Sequence, residues 1–179
     1  LQPEIRLQGF SGDWVERKLG EVCEIIMGQS PDSAFYQNEP NGCILVQGNA
    51  DLKNGKVVPR IWTTQITKQA KQGDLLISVR APVGDVGRTD YDIVIGRGIA
   101  AISGNEFIYQ TLLKMKLDNY WGSLSTGSTF DSINSENIRS AIVLIPSESE
   151  QTAIGQFFQK TDRLLALQGE KIQKIQQLK

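Results

Sequence analysis

The sequence predicts an α+β fold: a mixed, β-rich globular domain over residues 1–146, then one long C-terminal helix over residues 147–179. Three observations predict it. Short apolar runs divided by glycine, proline and Asn-Gly turn signals fill the first 146 residues. Pro146 stops the last of them. Beyond it no proline occurs, and the apolar residues recur every 3.5 positions on average, the spacing of a helix that packs along another helix.

Taken in order, residues 1–13 read as an extended lead-in. From Trp14 to Ile26, the positions of Val15, Leu19, Val22 and Ile25 suit either a short helix or a strand. Gly28-Gln29-Ser30-Pro31-Asp32 is a turn cluster, and Gly42 leads into a strand from Cys43 to Gln47 that Gly48-Asn49 ends. Lys53-Asn54-Gly55-Lys56 carries the Asn-Gly pair of a type I′ hairpin turn, because both central residues of that turn need a positive φ. Gly73-Asp74 precedes a strand running from Leu75 toward Arg80, which Ala81-Pro82-Val83-Gly84 closes. Ile93 to Ile102 is apolar and β-rich, and the glycines of Gly96-Arg97-Gly98 inside it predict close approach of another backbone or a ligand.

Ser103-Gly104-Asn105-Glu106 matches a capping box, and Ile108, Leu112 and Met115 follow on one face of a helix reaching Leu117. Gly127-Ser128-Thr129 is a polar loop, Ser135 to Arg139 one helical turn, and Ala141 to Ile145 a buried strand. Ser147-Glu148-Ser149-Glu150 is a second capping box. The helix it opens places Ile154, Phe158, Leu165, Ile172 and Ile175 along one seam, which Phe157, Leu164 and Leu178 widen. Gly155 and Gly169 each cost about 1 kcal/mol relative to alanine within a helix, so packing must hold it. Two arrangements satisfy the seam: pairing with another helix, or folding back on the domain.

Composition narrows the function classes. The longest uninterrupted aliphatic run is Ala141 to Ile145, whereas a membrane-spanning helix needs about 20 apolar residues. The opening Leu1-Gln2-Pro3-Glu4 has neither an initiator methionine nor a secretory leader, and reads as an excerpt from a longer, cytoplasmic chain. Histidine is absent, and Cys23 and Cys43 stand apart as expected of reduced thiols, so no metal and no cofactor is expected. Net charge is −1 with a sequence pI near 5.6, but the distribution is uneven. Residues 53–88 carry seven basic and two acidic side chains, among Trp62 and the hydroxyls of Thr63, Thr64 and Thr67.

Catalytic patterns are weak. Pro31-Asp32 with Asp51-Leu52-Lys53 imitates a metal-dependent nuclease, whose chemistry needs two carboxylates converging on a metal beside a lysine. Both aspartates lie at turns rather than on core strands. No phosphate-binding loop is present, since Val57 stands where a Gly-Lys-Ser/Thr motif needs its hydroxyl. Binding is the better class. Lys53, Lys56 and Arg60 suit phosphates, and Gln29, Ser30, Asn49, Arg80, Arg97, Ser128 and Thr129 suit base edges, because forked and amide side chains match guanine and adenine. Arg97 has a structural alternative in an ion pair with Asp90 or Asp92.

In sequence order, these segments resemble the specificity (S) subunit of type I restriction and modification enzymes. The resemblance rests on Trp14-Val15-Glu16-Arg17-Lys18-Leu19-Gly20-Glu21-Val22, on Gly73-Asp74-Leu75-Leu76-Ile77-Ser78 with Arg80 and Pro82-Val83-Gly84, and on Gly127-Ser128-Thr129 with Ile133. Its clearest part is Ile145-Pro146, Glu150-Gln151, Ile154-Gly155, Phe157-Phe158, Asp162 and Leu165, running to Leu178-Lys179. The resemblance implies a non-catalytic DNA target recognition domain, residues 1–146, and one conserved-region helix. Two such units, their helices antiparallel, would each read half of a bipartite double-stranded site. It implies as partners a methyltransferase subunit, a restriction and translocase subunit, and a second S-type unit met through the helix. A stand-alone metal-dependent endonuclease and a protein-binding coiled-coil adaptor remain the rival readings.

Overall fold

A computed structural model describes residues 1–124 and 132–177. The elements are β1 (Val15–Lys18), α1 (Leu19–Val22), β2 (Glu24–Met27), β3 (Tyr36–Gln37), β4 (Cys43–Val46), β5 (Leu52–Lys53), β6 (Lys56–Val57), β7 (Trp62–Thr63), β8 (Gln69–Ala70), β9 (Leu75–Ser78), β10 (Val86–Arg88), β11 (Ile93–Ile95), β12 (Ile99–Ser103), α2 (Glu106–Leu117), α3 (Tyr120–Leu124), α4 (Ser135–Arg139), β13 (Ile142–Ile145) and α5 (Glu148–Gln177). The α+β class is the one observed.

Three layers stack. A six-stranded sheet, β2-β12-β9-β10-β6-β5, lies in the middle. The helices and the β1-β13 ribbon pack on one face of it, through Leu75, Ile77, Ala100 and Ile102 against Leu19, Ile108, Leu112, Trp121, Ile138 and Val143. On its other face Leu76, Ile99 and Ala101 meet Val46, Ile93 and Ile95 of a five-stranded sheet, β3-β7-β4-β11-β8. Successive strand residues point to opposite faces, and here both faces are dry, so all four residues of β9 are buried and Leu75, Leu76 and Ile77 read as a continuous apolar run.

The glycine interruption at Gly96-Arg97-Gly98 is where the chain leaves one sheet for the other: β11 pairs with β4 and β8, β12 with β2 and β9. A Cβ on Gly98 would stand 2.2 Å from the Gln47 carbonyl oxygen, which is the close backbone approach the sequence predicts. The β5-β6 hairpin also forms as expected, with Asn54 at φ 51° and Gly55 at 72°.

Several expectations need correction. Trp14 to Ile26 is neither one helix nor one strand: it breaks into β1, a single helical turn and β2, with β1 pairing 124 to 130 residues onward in β13. The last strand of the domain is not fully buried, because it belongs only to that ribbon and leaves Ile142 half exposed. Neither predicted capping box forms as read. Asn105 caps α2 by accepting from Ile108 N, while Glu106 turns to Arg88. Ser147 Oγ does accept from Glu150 N at 3.4 Å, but the Glu150 carboxylate points away from it to Arg6.

The helix α5 folds back on the domain over its first turns only, and the rest of its apolar seam stays exposed. Its first three turns lie on α2 and bury Gly155 and Glu150, with Ile154 against the core. The remainder leaves Phe157, Leu164, Leu165, Leu167, Ile172 and Ile175 more than half exposed. Leu178 and Lys179 lie outside the described residues.

Candidate nucleic-acid interface

Strand direction gathers the candidate readers. β11 runs parallel to β4, and β12 antiparallel to both β2 and β9. The C-terminal ends of β2, β4, β9 and β11 and the start of β12 therefore meet at one end of the stacked sheets. The residues that follow those ends are Gln29 and Ser30, Gln47 to Asn49, Arg80, and Gly96-Arg97-Gly98.

Backbone hydrogen bonds fasten these loops to one another. Gly28 N donates to the Ile99 carbonyl and Gln29 N to the Ile95 carbonyl, both at 2.9 Å. Gly96 N donates to Val46 O at 2.8 Å, and Val79 N to Gly98 O at 2.9 Å. The Ser30 hydroxyl accepts from Arg97 N at 3.1 Å, and the Thr67 hydroxyl donates to Gln29 O at 2.5 Å. A Cβ on Gly28 would fall 2.1 Å from Gly96 O, so glycine is required at this crossing. These bonds hold the loop backbones together, while the side chains of Gln29, Arg80 and Arg97 are exposed.

Charge divides the basic island. Lys56 pairs with Asp90 at 2.9 Å, Arg60 with Asp51 at 2.5 Å, Lys71 with Asp92 at 3.0 Å, and Arg88 with Glu106 at 2.9 Å. Asp90 and Asp92 are thereby occupied by lysines, and Arg97 makes no ion pair among the described residues. Neither Arg80, Lys68 nor Lys53 makes one there either, so the cationic side chains at the gathered strand ends are Arg80 and Arg97, with Lys68 beside them through its carbonyl bond to Ile95 N.

The remaining candidates fall elsewhere. Lys56 lies level with Arg88 and Leu75, at the opposite end of the central sheet from Ser78 and Ile99, and Lys53 faces it across the hairpin. Arg60 supports the Gln47–Asn49 loop through Asp51. It holds the buried Asp51, whose other oxygen accepts from Gln47 N at 2.7 Å and Gly48 N at 3.3 Å, next to half-buried Asn49. Asp51 is thus filled by protein donors, and Asp32 is the cap of the short turn Ser33–Phe35, accepting from Ala34 N. No cluster of three or more metal-ligating side chains occurs among the described residues. Ser128 and Thr129 lie outside those residues.

Sequence reasoning missed the brace at the base of α5. Glu150 is 1% exposed and accepts from Arg6 Nε at 2.8 Å, Arg6 Nη2 at 2.7 Å and Trp14 Nε1 at 3.3 Å. It also missed Glu106, which joins Arg88, Gln110 and, across to α5, Gln159. Burial pushes the Glu106 carboxyl up, but hydrogen bonds from Gln110, Arg88 and Gln159 outweigh it and hold the group below its ordinary value of 4.5. Both glutamates sit in short-range patterns that read as helix caps, and their actual partners are distant in sequence.

Among known proteins, a family model described as the type I restriction modification DNA specificity domain matches residues 11–177. The chain is 33% identical over 177 residues to a Methanocaldococcus jannaschii protein named for the specificity subunit of a type I restriction enzyme, MjaX, covering 93% of this chain and 41% of that protein. Its fold matches the HsdS subunit of Thermoanaerobacter tengcongensis with a TM-score of 0.74 at 31% identity, covering 93% of this chain and 41% of that one. A chain from a structure of type I R-M system assembly and conformational transition gives 0.77 at 32% identity, covering 93% and 42%. The type I S subunit of M. genitalium shares the fold at 15% identity, with a TM-score of 0.71. The chain spans about two fifths of the length of these relatives.

Proposed function

Because this chain belongs to the family of type I restriction modification DNA specificity domains, we propose that it reads one half of a bipartite double-stranded DNA site and does no chemistry itself. It directs a methyltransferase subunit and a restriction and translocase subunit to that site. A second S-type unit, met through α5, reads the other half.

The observation that carries this reading is the convergence of Gln29, Ser30, Asn49, Arg80 and Arg97 at one end of the sheets, with both arginines exposed and unpaired among the described residues. Exposed guanidinium and amide groups on a rigid scaffold are what base-edge recognition requires. Lys53, Lys56 and Lys68 would hold phosphates, which fixes register without reading sequence. Ser128 and Thr129 belong to the proposed readers. Phe158, Leu165, Ile172 and Ile175 form the proposed pairing seam, consistent with the exposed apolar face of α5, whereas Ile154, expected on the same seam, packs against the domain's own core.

The test is the affinity of the assembled methyltransferase complex for its own site and for a scrambled duplex, across a salt series. The reading predicts preference for the site and a salt slope of several units. Equal, salt-insensitive and negligible affinity for both duplexes would favour an adaptor instead. Magnesium-dependent cleavage by this chain alone, lost in Asp51→Ala, would favour the endonuclease.

A further inference from the structure

The loop that follows β4 is fixed by a buried carboxylate. Asp51 is 4% exposed, and both of its oxygens are occupied. Oδ1 accepts from Arg60 Nε at 2.9 Å and Arg60 Nη2 at 2.5 Å, while Oδ2 accepts from Gln47 N and Gly48 N. Asp51 thus reaches back along its own chain to the first two residues after β4, and Arg60, which follows the β5-β6 hairpin, holds it from the other side. A buried carboxylate with four charge-assisted hydrogen bonds has little freedom to turn, so it sets where the Gln47 backbone lies.

Gln47 is in turn the surface on which the Gly96-Arg97-Gly98 crossover rests. A Cβ on Gly96 would stand 3.1 Å from Gln47 Cα and 3.3 Å from its Cγ, and one on Gly98 would stand 2.2 Å from its carbonyl oxygen. Both neighbours of Arg97 therefore lie flat against Gln47, and Arg97 N is tied to Ser30 Oγ at 3.1 Å. The half-buried Gln47 side chain runs over Gly96, and among the described residues its amide has one contact, a long one of 3.5 Å from the Tyr36 hydroxyl. An amide held this loosely, beside a guanidinium with no ion pair among those residues, is open to a base edge. Such side chains pair with adenine and guanine in the major groove.

We propose that Gln47 is a further base reader acting beside Arg97, and that the buried Asp51–Arg60 pair is the device that positions both. This rests on the function proposed above. Asp51 and Arg60 are positioning residues: they act through the Gln47 backbone and the glycines that rest on it, and touch no base. Discrimination at this part of the half-site therefore depends on an ion pair set behind the reading surface.

The experiment uses the assembled methyltransferase complex with the complete natural polypeptide, as wild type, Gln47→Ala, Arg97→Ala, Asp51→Asn and Lys71→Gln. Affinity is measured for its own site and for duplexes each changed at one base pair of that site. Wild type should penalise a wrong base pair by about 5- to 150-fold where a side chain reads it. Gln47→Ala and Arg97→Ala should each remove most of that penalty at one position or at neighbouring positions, and Asp51→Asn should lower it at those same positions and at no others. Lys71→Gln breaks an ion pair at the opposite end of the five-stranded sheet and should keep the wild-type profile. A loss in Asp51→Asn that is equal on every duplex, or a wild-type profile in Gln47→Ala or Arg97→Ala, overturns the proposal and leaves the half-site reading intact. An equal change of profile in Lys71→Gln overturns it too. A wild-type complex with no preference among the duplexes removes the reading itself, and the proposal with it. If Asp51→Asn fails to assemble, Arg60→Gln, which leaves Asp51 on both backbone amides, must lower the penalty at the positions that Gln47→Ala and Arg97→Ala define; a wild-type profile in Arg60→Gln overturns the proposal.

Discussion

Arg6 grips Glu150 through two parallel hydrogen bonds of 2.8 and 2.7 Å, across 144 residues of chain. The pair ties the lead-in to the base of the long helix, and Arg6 also donates to the carbonyls of Ser11 and Gly12, which shapes the lead-in around it. A guanidinium fork suits this role because it meets both carboxylate oxygens at once.

Arg6→Met strands the buried Glu150 carboxylate and should lower stability by about 3–5 kcal/mol, the usual cost of breaking a buried pair from one side. The double variant Arg6→Met/Glu150→Leu should lose less, since no charge is then left without a partner. Urea unfolding of wild type and the two variants decides this: a double variant weaker than the single would contradict it.

The acid limb of stability should depend on Glu106. Its carboxyl titrates below the ordinary value in the folded chain, so its contribution is complete above the unfolded value near 4.5 and is lost as pH falls through the lowered one. Glu106→Gln should therefore flatten the pH dependence of the unfolding midpoint below pH 4.5, with little change in slope near neutrality. An acid limb of the same steepness in both proteins would contradict this.

Readers and phosphate holders should separate under mutation. Arg97→Ala should cost about 1–3 kcal/mol on the target duplex alone. Lys53→Gln should weaken all duplexes alike and reduce the salt slope by about one unit. Lys56→Gln should do so less strongly, because Asp90 already lies 2.9 Å from its ammonium. Equal losses on target and scrambled duplexes for Arg97→Ala would take it out of the reader set.

The exposed apolar face of α5 predicts association. Leu165→Glu, at a position 61% exposed, should shift the sedimentation of the chain toward a monomer, while wild type self-associates or pairs with a second unit. Identical monomeric mass for both proteins would exclude pairing through this seam.

Local signals were legible in the sequence wherever short-range geometry decides the outcome. Asn54-Gly55 needs only its own dihedral preferences to form a hairpin turn, and Ile108, Leu112 and Met115 need only helical spacing to define a buried face. Gly96 and Gly98 announced a close approach, though not that the approaching chain is Gln47 or that the sheets change there. Partnerships of high sequence separation were not legible. Nothing near Glu150 or Glu106 in the chain names Arg6 or Arg88, and both glutamates fit a helix-cap pattern that tertiary pairing overrode. For the same reason the basic island read as a patch, when Asp51, Asp90, Asp92 and Glu106 neutralise four of its seven members.

The most direct test of the account is to exchange residues 20–145 of the complete polypeptide for those of a relative with a different specificity, and to sequence the methylated positions in cells that also carry the methyltransferase. One half of the motif should change to the donor's sequence while the other half stays fixed. A motif that stays whole, or changes in both halves together, would contradict the assignment of this domain as the reader of one half-site.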